Sequence, residues 1–436
     1  MTQPHNDTTT QPHNHTTTQQ QNQKAALFLA LIISIFIFRL TTLYYSYNTL
    51  TEYPYAKVKA LLLNQKERIG QNGHRYFILY FRGDDFDFKT LSNISRIGFK
   101  NKYTEVTVDT SKLSFSDFLK GAKLPLKNIE PSSYINPVKQ PIEGYICSQH
   151  VDERLQELYL NLFLNYDVGG EIDDFISIYG LGAFFAISGL NVALIAAMFF
   201  IVFGRAFLFF QDRFFPYANR NLWILSATFL FLLFFAYLTD FTPSFMRAIA
   251  SFAVIFYFGV VGFKLFGYGS LLVSALLCFA FFPEFVFSIG FWLSFYGVFL
   301  IYLFLNSVKI KNKVVLYVAL NVWLFFSMSP VLHYLFSVFT VPHLLNPVFA
   351  AIFDIFYPVS FAAHIFGFGG IFDGYILEAI ISASSIQRYE FFTPLWFFIF
   401  FTALSFGAVF YKRLFVVFNI TSTIYTLSAL WFLVYG

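Results

Sequence analysis

LGAFFAISGLNVALIAAMFFIVF, residues 181–203, is apolar over a length sufficient to cross a bilayer as one helix, since a span takes about 20 residues. Ser188, Gly189 and Asn191 nevertheless lie near its middle. A helix that faces lipid gains nothing from small and polar residues at that depth. These residues either let a second helix approach closely or line a water-filled path, and taken alone they leave both interpretations open.

The composition of the whole chain indicates that this run is one of many. Hydrophobic residues make up 57% of the 436 residues and charged residues only 12%. A soluble domain of this size has too little core volume to bury so many apolar side chains, so we predict a polytopic α-helical membrane protein. The net charge of +4 does not by itself indicate a nucleic-acid partner. Cys147 and Cys278 lie in a polar and an apolar region, so we expect neither a disulfide nor a cysteine metal site.

Five segments follow from changes in composition along the chain. Residues 1–24 are polar, contain a tandem repeat and are predicted to be disordered, and residues 25–45 form a first transmembrane helix. Residues 46–148 are rich in charge and alternate in polarity, which predicts a small external β domain. Residues 149–180 contain an amphipathic helix and a linker. Residues 181–436 form a helical transmembrane domain.

The alternating runs predict individual strands of the β domain. KVKALLLN (57–64) and RYFILYFR (75–82) read as strands on either side of the turn residues Gly70 and Gly73, and KYTEVTVD (102–109) alternates most cleanly. We interpret them as parts of a Greek-key barrel. The amphipathic helix that follows has five apolar residues at helical spacing, and it lies either along the membrane surface or against the β domain. Those residues are Leu155, Leu158, Tyr159, Leu162 and Phe163.

About 11 spans are predicted in total, ten of them after residue 180. The ten are 181–203, 222–239, 247–263, 267–282, 285–305, 314–335, 341–363, 370–386, 394–411 and 414–435, and prolines and glycines predict broken or re-entrant helices in the pair 341–363 and 370–386. Four short loops carry an excess of Lys and Arg on the same side, which the positive-inside rule assigns to the cytoplasm. The cationic residues are Arg205, Arg213, Arg220, Lys264, Lys309, Lys311, Lys313, Lys412 and Arg413. The β domain, Asp240, Glu284 and the chain's last residue then face outward, and the N-terminal tail faces the cytoplasm.

Two further segments carry polar residues within apolar runs. In TPSFMRA (242–248), Pro243 suits the first turn of a helix with Thr242 as its cap, and Arg247 enters the apolar run one turn later. Arg247 either snorkels or pairs with Asp240, or it is a fixed cation that meets an anion crossing the membrane. In FSIGFWLSF (287–295), Ser288, Gly290 and Ser294 taken alone indicate ordinary helix packing.

The sequence lacks the motifs of several common enzyme classes and of metal sites. The chain has no phosphate-binding loop and no nucleophile elbow, so we predict that it is not an enzyme and hydrolyses no nucleotide itself. Its ionisable residues in or near spans lack metal-ligand spacing, and we predict scattered polar contacts and no cofactor. Those residues are His333, His343, Asp354, His364 and Glu378.

The polar segments, in this order after a small β domain, resemble the ComEC family of DNA-uptake competence proteins. The resemblance rests on AISGLNVALI (186–195), PSFMRA (243–248), GFWLSF (290–295) and HYLFSVFTVPHLLNPVF (333–349), and extends over about residues 50–380. Three departures stand out. Asn191 replaces the family's His and Trp292 its Gln, and no metallo-β-lactamase-like domain follows the last span, so we expect degradation of the second strand to lie elsewhere or not to be required.

The resemblance implies a channel for single-stranded DNA in the bacterial cytoplasmic (inner) membrane and an OB-fold for the β domain. It makes Ser188, Gly189, Asn191, Ser244, Arg247 and Ser294 candidates for the DNA path, and Pro243, Gly290 and Asn346 structural motif residues. The implied partners are single-stranded DNA, membrane lipids, a periplasmic DNA receptor and a cytoplasmic helicase-like motor. A transporter for another anionic solute or lipid, and a scaffold for an envelope machine, are the alternatives.

Overall fold

The computed structural model describes residues 13–69, 74–83, 86–96, 100–132, 134, 136–185, 189–214, 217, 219–261 and 267–435. Most of them are helical, and a β barrel lies near the N-terminal end of the chain. Helix α1 runs from His13 to Thr51. Its first residues thus lie in the segment predicted to be disordered. Once the apolar part of the helix has nucleated, extension into the flanking polar residues costs little free energy.

Five strands form a closed barrel in the order β1-β2-β3-β5-β4, with β1 paired to β4. The strands are β1 (Tyr55–Ile69), β2 (Arg75–Gly83), β3 (Asp87–Ser92), β4 (Tyr103–Asp109) and β5 (Lys123–Pro131), and the short helix α2 (Phe115–Lys120) precedes β5. β3 and β5 pair in parallel and all other neighbours are antiparallel. The three predicted strands are confirmed as parts of β1, β2 and β4, while the predicted turn glycines Gly70 and Gly73 lie outside the described residues.

The barrel core is apolar and continuous with one end of α1. Leu79, Phe81, Phe88 and Val106 are buried inside the barrel, and Leu43 of α1 is only 1% exposed against them. The inward-facing residues of β3 include Thr90 and Ser92, and β5 contains Pro125 and Pro131. Neither strand therefore shows the alternation of apolar residues by which a strand is recognised in sequence.

Four short helices connect the barrel to the membrane helices. They are α3 (Lys139–Cys147), α4 (Glu153–Leu164), α5 (Gly170–Ile178) and α6 (Gly182–Phe185). The apolar face predicted for residues 151–165 is confirmed in α4, but it packs into a core shared with Val192, Phe235 and Phe353 of the helical domain. On the side of the barrel, Glu157 of α4 forms an ion pair with Lys100, which lies between β3 and β4.

In the part of the chain that the structure describes, ten α-helices follow residue 188. They are α7 (Gly189–Phe214), α8 (Arg220–Leu238), α9 (Pro243–Val261), α10 (Tyr268–Phe281), α11 (Ile289–Ser307), α12 (Lys313–Leu335), α13 (Asn346–Ile365), α14 (Asp373–Ala383), α15 (Leu395–Phe410) and α16 (Lys412–Tyr435). Seven helices of the described chain, α1, α7, α8, α11, α12, α13 and α16, are long and apolar enough to span a membrane. Shorter apolar helices are Pro243–Tyr257 within α9, α10 and α15.

The predicted count of about 11 spans is not confirmed. The segment 370–386 contains α14, whose 11 residues reach about 17 Å at 1.5 Å per residue, too short for a hydrocarbon core of about 30 Å. α14 packs against α4 and α5 instead. Irregular backbone surrounds α13, as the prolines and glycines predict, with 3₁₀ turns at Val341–Leu345 and Gly369–Phe372. Strands β6 (Val338–Phe339), before the first of these turns, and β7 (Tyr389–Glu390), after α14, pair antiparallel.

Candidate functional site

Arg247 lies one turn into α9 and is 2% exposed, which makes it one of the most completely buried large side chains of the described chain. Pro243 is the first residue of this helix, as predicted. Thr242 does not cap the helix with its side chain, because its buried hydroxyl has no partner in the described ranges, and its carbonyl accepts from the Met246 amide instead. The helix start therefore carries Arg247 into the protein interior and not toward the lipid headgroups.

Hydroxyl groups from three helices surround the Arg247 guanidinium. Nε donates to Ser294 Oγ of α11 over 2.9 Å, and Nη1 donates to Ser251 Oγ, one turn further along α9, over 3.4 Å. Ser251 in turn donates to Ser274 Oγ of α10 over 3.1 Å, and Ser274 donates to the Leu271 carbonyl. We call Arg247, Ser251, Ser274 and Ser294 the arginine cluster.

Gly189, the first residue of α7, closes the arginine cluster from a fourth helix. A Cβ atom on Gly189 would lie 3.2 Å from Arg247 Nη2 and 3.6 Å from Ala248 Cβ. A side chain would therefore need the guanidinium to move. Gly189 and Arg247 come from two of the sequence motifs, and Ser294 comes from the third, so the fold brings the three motifs into contact.

Besides the Arg247–Ser294 hydrogen bond, a second contact joins α9 and α11 near the first residues of both helices. Ser244 Oγ donates to the Gly290 carbonyl over 2.9 Å. A Cβ on Gly290 would lie 3.4 Å from Ser244 Oγ. Gly290 therefore permits the close approach of α9 and α11 that the Arg247–Ser294 hydrogen bond also requires.

The Arg247 guanidinium has no anionic partner among the described residues. Asp240, the candidate partner, forms its salt bridges with other residues. Asp240 pairs with Lys139 of α3 and, over 3.6 Å, with Arg82 of β2. The interpretation that Asp240 neutralises Arg247 is therefore wrong. Hydroxyl dipoles replace a counter-charge only partly, and an unpaired buried charge costs several kcal/mol.

The other predicted polar residues lie outside the arginine cluster or outside the described chain. Asn191 is fully buried, and its Nδ2 donates to the Phe184 carbonyl over 3.3 Å, while its Oδ1 has no partner among the residues that the structure describes. Ser188 is not among the described residues. Trp292 is half-exposed and donates from Nε1 to the Val286 carbonyl over 2.8 Å.

Asn346 belongs to a separate junction between α5 and the start of α13. A Cβ on Gly180, which has φ +65°, would lie 2.8 Å from Asn346 Nδ2 and 2.0 Å from His343 Cδ2. His343 Nε2 lies 3.1 Å from the Ser177 carbonyl, and Thr340 donates to the Ile178 carbonyl. Thr340 and His343 therefore hold the irregular backbone before α13 against the end of α5, and Asn346 lies beside this junction.

A described groove lies away from all these residues. Its volume is about 560 Å³, and it is lined mainly by apolar residues of α12 together with Phe304 and polar residues of α16. Asn419, Ser422 and Thr423 are those polar residues. None of the predicted path residues lines this groove. The arginine cluster is a packed contact, because Arg247 is buried and Gly189 lies close against its guanidinium.

Sequence reasoning missed two members of the arginine cluster. Ser251 is four residues after Arg247 on α9, and this spacing places two side chains on one helix face, so it could have been found. Ser274 and Gly180 carried no local signal, because each matters through a residue that is distant along the chain.

Comparison with known proteins adds one match. The model of the family described as "Competence protein" matches residues 171–434, which extend from α5 to the end of α16 and contain all three motifs. The match begins and ends further along the chain than the resemblance over residues 50–380. No curated protein and no solved structure matches the chain significantly.

Proposed function

The chain belongs to the Competence protein family, and from this premise we propose that it is the channel through which single-stranded DNA crosses the bacterial cytoplasmic membrane during natural transformation. The observation that carries the proposal is Arg247, a buried cation without an anionic partner in the described chain, at the contact of four helices. A single strand carries one negative charge per nucleotide, so its phosphodiester is the counter-charge that the guanidinium lacks.

The contacts of the arginine cluster fit a closed gate in such a channel. Ser294 and Ser251 occupy donor atoms of Arg247 that a phosphate would accept from, and α7 approaches the guanidinium closely at Gly189. We propose that passage of a strand separates α7, α9 and α11 at this point. The phosphate then replaces the hydroxyl groups as the partner of Arg247. One fixed cation serves movement better than many, because a polyanion held at many sites would not move.

The orientation of the barrel relative to the helices supports an external location. Asp240, in the turn between α8 and α9, pairs with Arg82 of the barrel, and Lys120 of α2 lies 5.5 Å from the ring centroid of Phe287, just before α11. The barrel thus lies at the end of the bundle opposite the cationic loops, which contain Arg220 and Lys313. Under the positive-inside rule such loops face the cytoplasm, and we therefore propose that the barrel lies outside.

We further propose that the barrel is an OB-fold. Its strand order β1-β2-β3-β5-β4 closes a small five-stranded barrel, and β3 and β5 pair in parallel. A five-stranded Greek-key barrel is the architecture of OB-folds, which often bind single strands. A partner on this side would be a periplasmic DNA receptor. On the cytoplasmic side we propose a helicase-like motor that pulls the strand, because the sequence has no phosphate-binding loop of its own.

Transformation assays in a strain that carries the chain as its only copy test the proposal. In the deletion strain, labelled DNA should reach the periplasm and not the cytoplasm. Arg247→Gln should lower cytoplasmic uptake at least tenfold, Arg247→Lys should retain part of it, and Arg220→Gln, which changes an exposed arginine at the start of α8, should not alter it. Each variant must be present in the membrane at the wild-type level.

The same assay separates the alternatives. An unpaired buried arginine also suits a transporter of another anionic solute or of an anionic lipid. Unchanged DNA uptake in the deletion strain would end the DNA proposal and favour that transporter. Loss of uptake on deletion with normal uptake in Arg247→Gln would instead favour an assembly scaffold, because the chain would be required without its fixed cation.

A further inference from the structure

Two buried histidines and one carboxylate form a chain of contacts apart from the arginine cluster. His150 lies in the turn between α3 and α4, His364 in the last turn of α13, and Asp373 at the start of α14. His150 Nδ1 lies 2.9 Å and 3.0 Å from the two Asp373 oxygens, and His150 Nε2 lies 3.0 Å from His364 Nε2. His364 Nδ1 lies 2.7 Å from the Ser360 carbonyl. The two histidines are 4% and 5% exposed.

Counting hydrogens shows what these contacts require. Each of the three contacts needs one hydrogen between its heavy atoms, and the Ser360 carbonyl and an ionised Asp373 only accept. Two neutral imidazoles together carry two N–H groups. The chain of contacts therefore needs a third proton, held either on an imidazole or on the carboxyl. With this proton the three side chains have no net charge, whereas without it they would bury one negative charge.

We propose that His150, His364 and Asp373 form a binding site for one proton that holds the α3–α4 connection against α13 and α14, and we call it the proton latch. α3 and α4 link the barrel to the membrane helices. Two neighbouring contacts depend on the same geometry, since Gln149 Nε2 donates to the His364 carbonyl and the Gly369 amide donates to Gln149 Oε1. Loss of the proton therefore loosens the connection between the barrel and the helical domain.

The distance between the two Nε2 atoms favours a proton over a metal ion. At 3.0 Å it lies within the ordinary range for a hydrogen bond, about 2.7–3.2 Å between donor and acceptor. Two histidine nitrogens on a tetrahedral zinc ion, each about 2.05 Å from the metal, would be about 3.3 Å apart. Asp373 binds the opposite nitrogen of His150, and the described residues contain no group of three or more potential metal ligands.

The surroundings leave Asp373 and Tyr159 as the titratable partners of the two rings within the described chain. Tyr159 of α4 stacks on His150 with ring centroids 4.3 Å apart and lies 4.6 Å from the His364 ring, and Phe163 covers His364 at 4.8 Å. Burial, together with the nearby charge of Asp373, raises the pKa of the Tyr159 phenol. Tyr159 thus stays neutral at moderately alkaline pH and does not contribute to the pH response of the latch.

The sign of the pH dependence follows from the number of bound protons. Above the ordinary histidine pKa of about 6.5, the unfolded chain holds two protons on these three groups, and the folded chain holds three. Stability therefore falls as pH rises, and the unfolding equilibrium constant grows by up to about tenfold per pH unit. Below about pH 6.5 the unfolded histidines take up protons, and the dependence reverses.

Asp373→Asn gives a test in which the protein keeps its hydrogen bonds. An asparagine amide donates to His150 Nδ1, so that His150 donates to His364 and His364 to Ser360 with no extra proton. We expect the melting temperature of the wild-type full chain in lipid nanodiscs to decrease as the pH is raised from about 6.5 to about 8.5, the range above the ordinary histidine pKa. The midpoint of Asp373→Asn should stay level over that range.

A matched control and a local measurement complete the experiment. His333 is also buried, and its Nδ1 contacts the Tyr425 hydroxyl over 3.1 Å, so His333→Gln should retain the wild-type alkaline fall. Hydrogen exchange of residues 139–150 and 364–383 should accelerate with pH, beyond the intrinsic rate, in the wild type and not in Asp373→Asn. Equal pH dependence in the two proteins would overturn the latch. A rise of the midpoint with added zinc, reversed by a chelator, would overturn it in favour of a metal site.

Discussion

Arg247 and Ser294 are 47 residues apart in sequence and are joined by a hydrogen bond of 2.9 Å from the Arg247 Nε to the Ser294 hydroxyl. The bond connects α9 to α11, and it links two sequence segments that each carry an isolated polar residue in an apolar run. The bond matters for stability mainly because its loss would leave a buried charged donor without an acceptor. The free-energy cost of that unsatisfied donor exceeds the net stabilisation from the bond itself.

Ser294→Ala should therefore destabilise the protein by about 1–3 kcal/mol, the penalty for one unsatisfied buried donor. The measurement is the midpoint of chemical or thermal unfolding of the purified full chain in detergent. Ser307→Ala, an exposed serine at the end of the same helix, is the matched control and should change the midpoint little. Equal midpoints for the two variants would show that Ser294 carries no share of the Arg247 interaction.

Arg247→Met should keep or raise the stability of the protein but abolish its function. Methionine fills much of the same volume without a charge, and replacing buried charges by apolar residues is often neutral or stabilising. We expect an unfolding midpoint at or above that of the wild type together with loss of DNA uptake. A strongly destabilised Arg247→Met protein would indicate that the guanidinium is retained for folding, and would remove the reason to regard it as a functional cation.

The membrane class and three strands could be predicted from the sequence because both depend on local pattern. The burial of α4 in the helical domain could not be predicted, because an amphipathic face indicates that a helix packs against something but does not identify the element it packs against. The same limit applies to Arg247. Its position in an apolar run leaves open whether the guanidinium snorkels, pairs with Asp240 or is a fixed cation, and Ser274 and the pairing of Asp240 with Lys139 depend on helices that meet only in the fold.

The proton latch marks a further limit of sequence reasoning. His150 and His364 are separated by more than 200 residues, and no spacing rule connects them. The sequence predicts only scattered polar contacts for His364. Asp373 begins α14, but the sequence predicts a membrane span over 370–386, and a residue within a span has different neighbours from a residue at a helix start.

Gly180→Ala should be among the most damaging glycine substitutions in the described chain. The new Cβ would lie 2.0 Å from His343 Cδ2, and φ +65° is strained for any residue with a side chain. We expect a large loss of folded protein in the membrane fraction. Gly182→Ala, two residues further on and with nothing within 4 Å of its Cβ, should accumulate as the wild type does. Similar levels of the two variants would contradict the close contact with His343.

Asp240→Asn should loosen the barrel from the helical domain. Lys139 is 3% exposed, so removing the charge of Asp240 leaves a buried ammonium group unpaired, at a cost of about 3–5 kcal/mol. Protease cleavage between α2 and α4 should accelerate as a result. Asp174→Asn, which breaks an exposed pair with Arg388, is the control and should leave cleavage unchanged.

A double variant distinguishes the lost ion pair from a general defect. Lys139→Met combined with Asp240→Asn removes both charges of the buried pair, and its cleavage rate should lie nearer the wild type than that of Asp240→Asn alone. Arg82 lies 3.6 Å from Asp240 and is more exposed than Lys139, so water can solvate the charge that remains in the double variant. Additive effects of the two substitutions would mean that the buried pair does not hold the barrel in place.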